Sequence, residues 1–141
     1  MDTVYDKLVP SPTPETQPYW DGLRQGRLRL QCCADCGKVR HYPRPVCDAC
    51  WSMNTNWIDA SGRGTVHSWT ITHYAFHPGF KGDLPFILIT VDLVEGVRMN
   101  AQVRGIEESQ LQVGLPVKVA FDPVKPDLTL PVFEAAPGAE K

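Results

Sequence analysis

Five segments in the C-terminal half read as short β-strands. Thr65 to Phe76, Phe86 to Val94, Val97 to Arg104, Val117 to Asp122 and Leu130 to Glu134 are apolar or β-branched runs separated by Gly and Pro signals. The third run shows the pattern most plainly. Val97, Met99, Ala101 and Val103 alternate with Arg98, Asn100, Gln102 and Arg104, so one face is apolar and the other polar. Side chains of a strand point alternately to opposite faces, and this run therefore predicts a half-buried strand. Glu95-Gly96 supplies the turn before it and predicts a hairpin between the second and third runs. Five short strands in about 75 residues suit a small Greek-key barrel such as the OB-fold. An SH3-like barrel or an open sandwich has the same strand count and stays open at this point.

Upstream of Gly62 the period changes. Tyr19, Trp20 and Leu23 recur at helical spacing; Thr16 or Gln17 can open the helix, Pro18 suits its first turn and Gly26 ends it. Arg27-Leu28-Arg29-Leu30 returns to period two and predicts an edge-like strand, onto which Trp57 and Ile58 are expected to pack back. Pro10, Pro12, Pro14 and Pro18 give residues 1 to 18 the composition of an extended arm. The expected organisation is an arm over 1–18, a helix with a ribbon over 19–60, a barrel over 61–136 and a tail over 137–141. The fold class is mainly β, with one N-terminal helix.

The ribbon is inferred from cysteines. Cys33-Ala34-Asp35-Cys36 and Cys47-Asp48-Ala49-Cys50 are two Cys-x-x-Cys pairs separated by ten residues. Each pair can turn back so that both sulfurs face one point, and four thiolates fill a tetrahedral sphere, which predicts one structural zinc ion in a rubredoxin-like ribbon. Iron takes the same ligand set, so spacing alone leaves it open. Disulfides are disfavoured because Met1-Asp2-Thr3-Val4-Tyr5 has neither a basic segment nor an apolar run of a secretory signal, and a cytoplasmic setting is expected. A thioredoxin-like redox site is disfavoured because no βαβ pattern surrounds either pair. Gly37 follows the first pair, where positive φ helps backbone amides face the sulfurs; Trp51 holds that place after the second. Cys32, beside Cys33 in an extended chain, should point away from the cluster.

Composition narrows the function. No run approaches the roughly twenty apolar residues of a membrane span, and 13 prolines with 11 glycines favour short strands over long helices. The net charge is −2, but Arg24, Arg27, Arg29, Lys38, Arg40 and Arg44 face only Asp35 between residues 24 and 44, a local surplus of +5 that could attract an anionic group.

The ordered set of a Tyr19-Trp20-Asp21-Gly22-Leu23 helix, Gly26-Arg27-Leu28, the two knuckles with Pro43-Arg44-Pro45, Gly62-Arg63-Gly64-Thr65-Val66, Leu84-Pro85-Phe86 and Val113-Gly114-Leu115-Pro116-Val117 resembles a known family. These are the zinc-ribbon plus OB-fold proteins called acyl-CoA-associated, formerly a domain of unknown function. The likeness covers residues 18 to 136. It implies a non-catalytic accessory subunit, held in a hetero-oligomer with a thiolase-superfamily enzyme (thiolase, acyltransferase or aldolase) and sharing its acyl-CoA. The family also includes domains paired with dehydratases, so an acyl-CoA dehydratase is the alternative partner.

The residues themselves offer no nucleophile elbow, triad signature or paired-carboxylate motif. Glu107-Glu108 should diverge into solvent. His67 and His73, six apart in one predicted strand, should share a face as partly buried histidines. His41 beside the knuckles could stand in for a cysteine, though four thiolates suffice. The segment His77 to Pro85 joins the first two barrel strands; His77, Phe80 and Lys81 are the candidate acyl-CoA contacts, Phe80 stacking on adenine and Lys81 meeting phosphate. An exposed, mobile loop or a partner contact explains it equally well. Zinc ribbons and OB-folds also bind single-stranded nucleic acid, but the barrel's few cations, Arg98 and Lys118 among acidic and neutral neighbours, argue against that use.

Overall fold

The computed structural model describes residues 9–136. The expected tail over 137–141 and the first eight residues of the expected arm lie outside them. Residues 9–16 form no helix or strand and end in a turn closed by the Thr16 N–H on the Thr13 carbonyl at 3.0 Å.

Helix α1 (Gln17–Arg24) leads into a three-stranded antiparallel sheet, β1 (Arg29–Cys33), β2 (Val39–Arg40) and β3 (Thr55–Asp59), ordered β2-β1-β3. Pro18 stands in the first turn of α1, and Gly26 takes a φ of +74° just after its end. β1 starts two residues later than its alternating pattern suggests, because Arg27 and Leu28 are still crossing from the helix. Trp57 and Ile58 do pack back, paired with Gln31 and Leu30.

The second unit is a closed five-stranded barrel of β4 (Arg63–Thr72), β5 (Phe86–Leu93), β6 (Arg98–Val103), β7 (Pro116–Lys125) and β8 (Leu128–Ala135). Its order is β4-β5-β6-β8-β7, with β7 returning to β4 and one parallel pairing, β6 with β8. This closed order decides for the OB type over the SH3-like and sandwich readings. The β5–β6 hairpin turns at Glu95-Gly96 as expected, with Gly96 at φ +92°. Met99 and Ala101 face inward while Arg98 and Asn100 face out.

β4 departs from its predicted extent and parity. It ends at Thr72, and a bulge between Val66 and Ser68 shifts its register against β5. Val66 is buried before the bulge, Trp69 and Ile71 are half-buried after it, and His67 is exposed. His73 lies beyond the strand and is exposed as well. The two histidines therefore share no strand face and are not partly buried, because one inserted residue inverts a period of two.

At the start of β4, Gly64 meets β5 so closely that a Cβ would lie 2.4 Å from the Asp92 carbonyl oxygen and 2.7 Å from Val91 Cγ1. The core is one continuous cluster. Tyr19, Leu23, Leu28 and Leu30 from the first unit join Val66, Ile89, Val91, Met99, Val117 and Phe133 of the barrel. α1 makes the join by packing on β1, β7 and β8.

Candidate functional site

The two knuckles converge as their spacing predicts. Cys33 Sγ lies 3.5 Å from Cys50 Sγ and Cys36 Sγ 3.7 Å from Cys47 Sγ, and all four sulfurs lie within 4.8 Å of one another. Zinc–sulfur bonds of about 2.3 Å imply tetrahedron edges of about 3.8 Å, which the Cys33–Cys50 and Cys36–Cys47 separations approach. Each knuckle aims a backbone N–H at its first sulfur: Cys36 donates to Cys33 and Ala49 to Cys47, both at 3.4 Å. The Cys36 N–H, above all, holds the Cys33 thiol down to about 6, and the Ala49 N–H lowers Cys47. Against the pull of the Ser52 N–H, the Cys33 sulfur and burial push Cys50 up to about 12. Sulfurs this crowded cannot all be thiolates unless a cation joins them. The cluster holds one zinc ion, and four thiolates leave no open position for substrate, so the centre is structural.

The turns around the metal are built alike from unlike residues. The N–H of Gly37 donates to Cys33 O at 3.0 Å and that of Trp51 to Cys47 O at 2.9 Å. Both residues take positive φ, +80° for Gly37 and +66° for Trp51, a region an L side chain enters at a cost. Two links that the sequence reading missed tie the knuckles together. Lys38 Nζ bridges to Asp48 at 2.9 Å, and Asp35 accepts from the Ser52 hydroxyl and from Asn54 Nδ2. Their signal was visible: each Cys-x-x-Cys carries one aspartate between its ligands. Cys32 points elsewhere, with its Sγ 3.4 Å from the Gly37 carbonyl oxygen.

The expected basic patch is largely consumed. Arg24 pairs with Asp21, Arg27 and Arg29 with Asp59, and Lys38 with Asp48. Arg40 is buried. Its Nε donates to Gln31 Oε1 at 2.7 Å and its Nη2 to the Arg44 carbonyl at 3.1 Å, while Arg44 N–H donates to the same Gln31 oxygen at 2.8 Å. This polar knot fills the ribbon where an apolar core would otherwise stand. On the barrel, Arg98 pairs with Asp92, and Arg104 and Lys118 with Glu134. Asp92 also lies 3.3 Å from His67 Nδ1 on the exposed strand face, and its bond from Arg98 holds its carboxyl below the usual range.

His41 is not among the clustered ligands. Its ring makes tilted contacts with Tyr19 (centroids 5.2 Å apart) and Tyr42 (3.9 Å), both ring nitrogens are buried without a hydrogen-bond partner among the described residues, and burial pushes its pKa down to about 4. The next residue stitches the two units: the Tyr42 hydroxyl accepts the Asn100 N–H of β6 at 2.8 Å.

The loop between β4 and β5 is more ordered than a mobile tip. Pro78–Asp83 forms a 3-10 helix capped by His77, whose Nδ1 accepts the Gly79 N–H at 3.0 Å. Phe80 is half-buried against Phe86, ring centroids 5.5 Å apart, with His77 at 6.3 Å, while Lys81 is exposed. Phe80, His77 and Phe86 enclose a hollow of about 160 Å³ with Tyr74 and Phe76, whose ring is 87% exposed. Phe80 also lines a larger cavity, about 530 Å³, where α1, Tyr42 and the barrel meet.

Comparison with known proteins follows the same division. The family model described as "ChsH2, rubredoxin-like zinc ribbon domain" matches residues 20–54, and "ChsH2, C-terminal OB-fold domain" matches residues 57–122. A probable enoyl-CoA hydratase alpha subunit of Thermomonospora curvata is 36% identical over 118 residues, 84% of this chain but only 36% of that protein. The chain thus spans about a third of the length of the hydratase-named relatives it matches. A benzoylsuccinyl-CoA thiolase subunit of Geobacter metallireducens is 30% identical over 74% of this chain and 68% of its own length. In the solved structure titled "Ltp2-ChsH2(DUF35) aldolase", one chain superposes with a TM-score of 0.81 and 33% identity, covering 90% of this chain and 98% of that one.

Proposed function

Because this chain belongs to the ChsH2 family of zinc-ribbon and OB-fold proteins, we propose that it is a non-catalytic accessory subunit that docks on a thiolase-superfamily enzyme and helps shape its acyl-CoA site. The observation that carries this reading is the match of extent. The chain superposes on 98% of one chain in a structure titled as an aldolase, which supports reading it as one subunit of such an enzyme. The thiolase subunit of Geobacter metallireducens points the same way. The hydratase-named relatives carry a weaker implication, since most of each lies outside the match and their chemistry can reside there. Partnership with an acyl-CoA hydratase or dehydratase is the second reading, favoured by the higher identity of those relatives.

Within the docking role each site has a task. Zinc supplies a rigid turn-pair at the far end of β1, with no chemistry on substrate. Trp51 and Met53, 79% and 73% exposed on the second knuckle, offer an apolar contact that a partner would desolvate. The loop bearing His77, Phe80 and Lys81 reaches towards the CoA entrance, with Lys81 as the exposed cation for phosphate. Co-expression with a thiolase-superfamily enzyme tests this. The pair should co-elute on size exclusion, and Lys81→Ala should raise the apparent KM for acyl-CoA with assembly unchanged. Separate elution at micromolar concentration, with the enzyme fully active alone, would refute the role.

A further inference from the structure

A row of charged side chains crosses four strands on the outside of the barrel. Arg63 on β4 stands opposite Lys118 on β7, and Lys118 stands opposite Glu134 on β8. Arg104, one residue past the last β6 pairing, extends the row by reaching Glu134, its Nη2 3.3 Å from Oε2. Val117 and Phe133, the residues just before Lys118 and Glu134, are fully buried, so the row itself turns outward.

Charge along it is unbalanced. Arg63, Lys118 and Arg104 share the one carboxylate of Glu134, and Lys118 holds it only loosely, Nζ to Oε1 at 3.9 Å. Arg63 forms no ion pair among the described residues, and Glu95 of the β5–β6 turn is engaged by the Ser61 N–H at 2.8 Å. Like charges directly opposite on neighbouring strands are destabilising, so the pairing of Arg63 with Lys118 weakens the barrel on its own. The surplus of +2 stands on a chain whose net charge is −2, which makes it a local attractor for negative charge. From Arg63 to Arg104 the row covers three strand spacings of about 4.8 Å, roughly 14 Å, and extended chain at about 3.3 Å per residue spans that in about four residues. A single phosphate reaches only one end of the row. Two carboxylates four residues apart meet both ends and leave Glu134 between them. We propose that this row docks an extended acidic segment of the enzyme subunit, a proposal that rests on the accessory-subunit reading above.

Two measurements on the full zinc-loaded chain test the row itself. Arg63→Glu turns a like-charge pair into an opposite one, so its melting temperature should equal or exceed the native value; a lower one would make Arg63 a structural residue and overturn the proposal. In amide NMR at low salt, the peptide Ac-Glu-Ser-Thr-Ser-Glu-NH2 should shift Arg63, Lys118 and Arg104 in a saturable way, at least fivefold more tightly than its Gln counterpart. Combining Arg63→Glu with Lys118→Glu should abolish those shifts. Shifts elsewhere, equal binding of the two peptides, or tighter binding of inorganic phosphate would also overturn it. A third measurement uses a thiolase-superfamily enzyme that co-elutes with the chain. The double variant should slow association at least tenfold at low salt, converge on the native rate at high salt and leave dissociation unchanged. An unchanged rate would show that the enzyme docks elsewhere and refute the proposal. Failure of the native pair to assemble would refute the accessory-subunit reading and with it the enzyme as occupant, while the peptide titration still decides the acidic-segment chemistry.

Discussion

Replacing Gly64 with alanine would set a methyl carbon against the Asp92 carbonyl, 2.4 Å away on the neighbouring strand. Backbone cannot swing aside as a side chain can, so Gly64→Ala should cost about 2–3 kcal/mol, read as a lower urea midpoint at unchanged slope. His41 makes a second prediction at this scale. Its folded pKa of about 4 lies below the unfolded value near 6.5, so the folded state favours the neutral ring. Its contribution is therefore whole above pH 6.5 and lost as pH falls towards 4, about 3 kcal/mol in all. His41→Phe keeps an aromatic ring between Tyr19 and Tyr42 without the proton. Relative to it, the native chain should lose stability across that window and match its slope above it, with zinc loss common to both. The zinc ligands were legible because identity and spacing define them. His41 and Arg40 were not, since both look like exposed polar residues until three segments fold over them. The pairing of His67 with His73 failed for a reason no alternating pattern discloses, a single bulged residue.

Helix and strands emerged from periodicity to within a few residues, yet the ribbon's interior did not. Its centre is the bond network of Gln31 with Arg40 and Arg44, and a glutamine just past the alternating Arg27–Leu30 run gives no sign of being 3% exposed. Gln31→Leu leaves the Arg40 guanidinium buried and short of its acceptor, and should cost about 3 kcal/mol. Gln31→Glu restores an acceptor for both donors and adds a counter-charge, so it should recover most of that loss in the same denaturation assay. Metal removal acts on the same element. A chelator should disorder β1, β2 and the knuckles, seen as loss of amide protection there, and Cys36→Ser should do likewise. Unchanged protection after zinc is stripped would show that the polar knot suffices. Gly and Pro make the loop before β5 look, by sequence, equally like a ligand-contacting tip, an exposed mobile loop or a partner contact; its 3-10 helix follows from the His77 cap and from Phe80 meeting Phe86, a contact set by the barrel's closure.

For the whole molecule, the two units were legible and their merger was not. Leu28 and Leu30 belong to one apolar cluster with Val66 and Phe133, so a fragment ending at residue 60 should bind zinc yet lack fixed packing around Tyr19 and Leu23. Its proton NMR spectrum would show collapsed aromatic dispersion beside well-resolved knuckle amides. A fragment with full dispersion would mean the ribbon folds alone. The packing of α1 on β8 also has a meaning in time. A ribosome delivers the helix first and the strand it rests on last, more than a hundred residues later. At about 5–20 residues per second that interval is several seconds, during which the knuckles can already have captured their ion. Throughout it Tyr19 and Leu23 have no barrel to cover them, which makes the nascent chain, rather than the finished protein, the form most exposed to chaperones and to unwanted association.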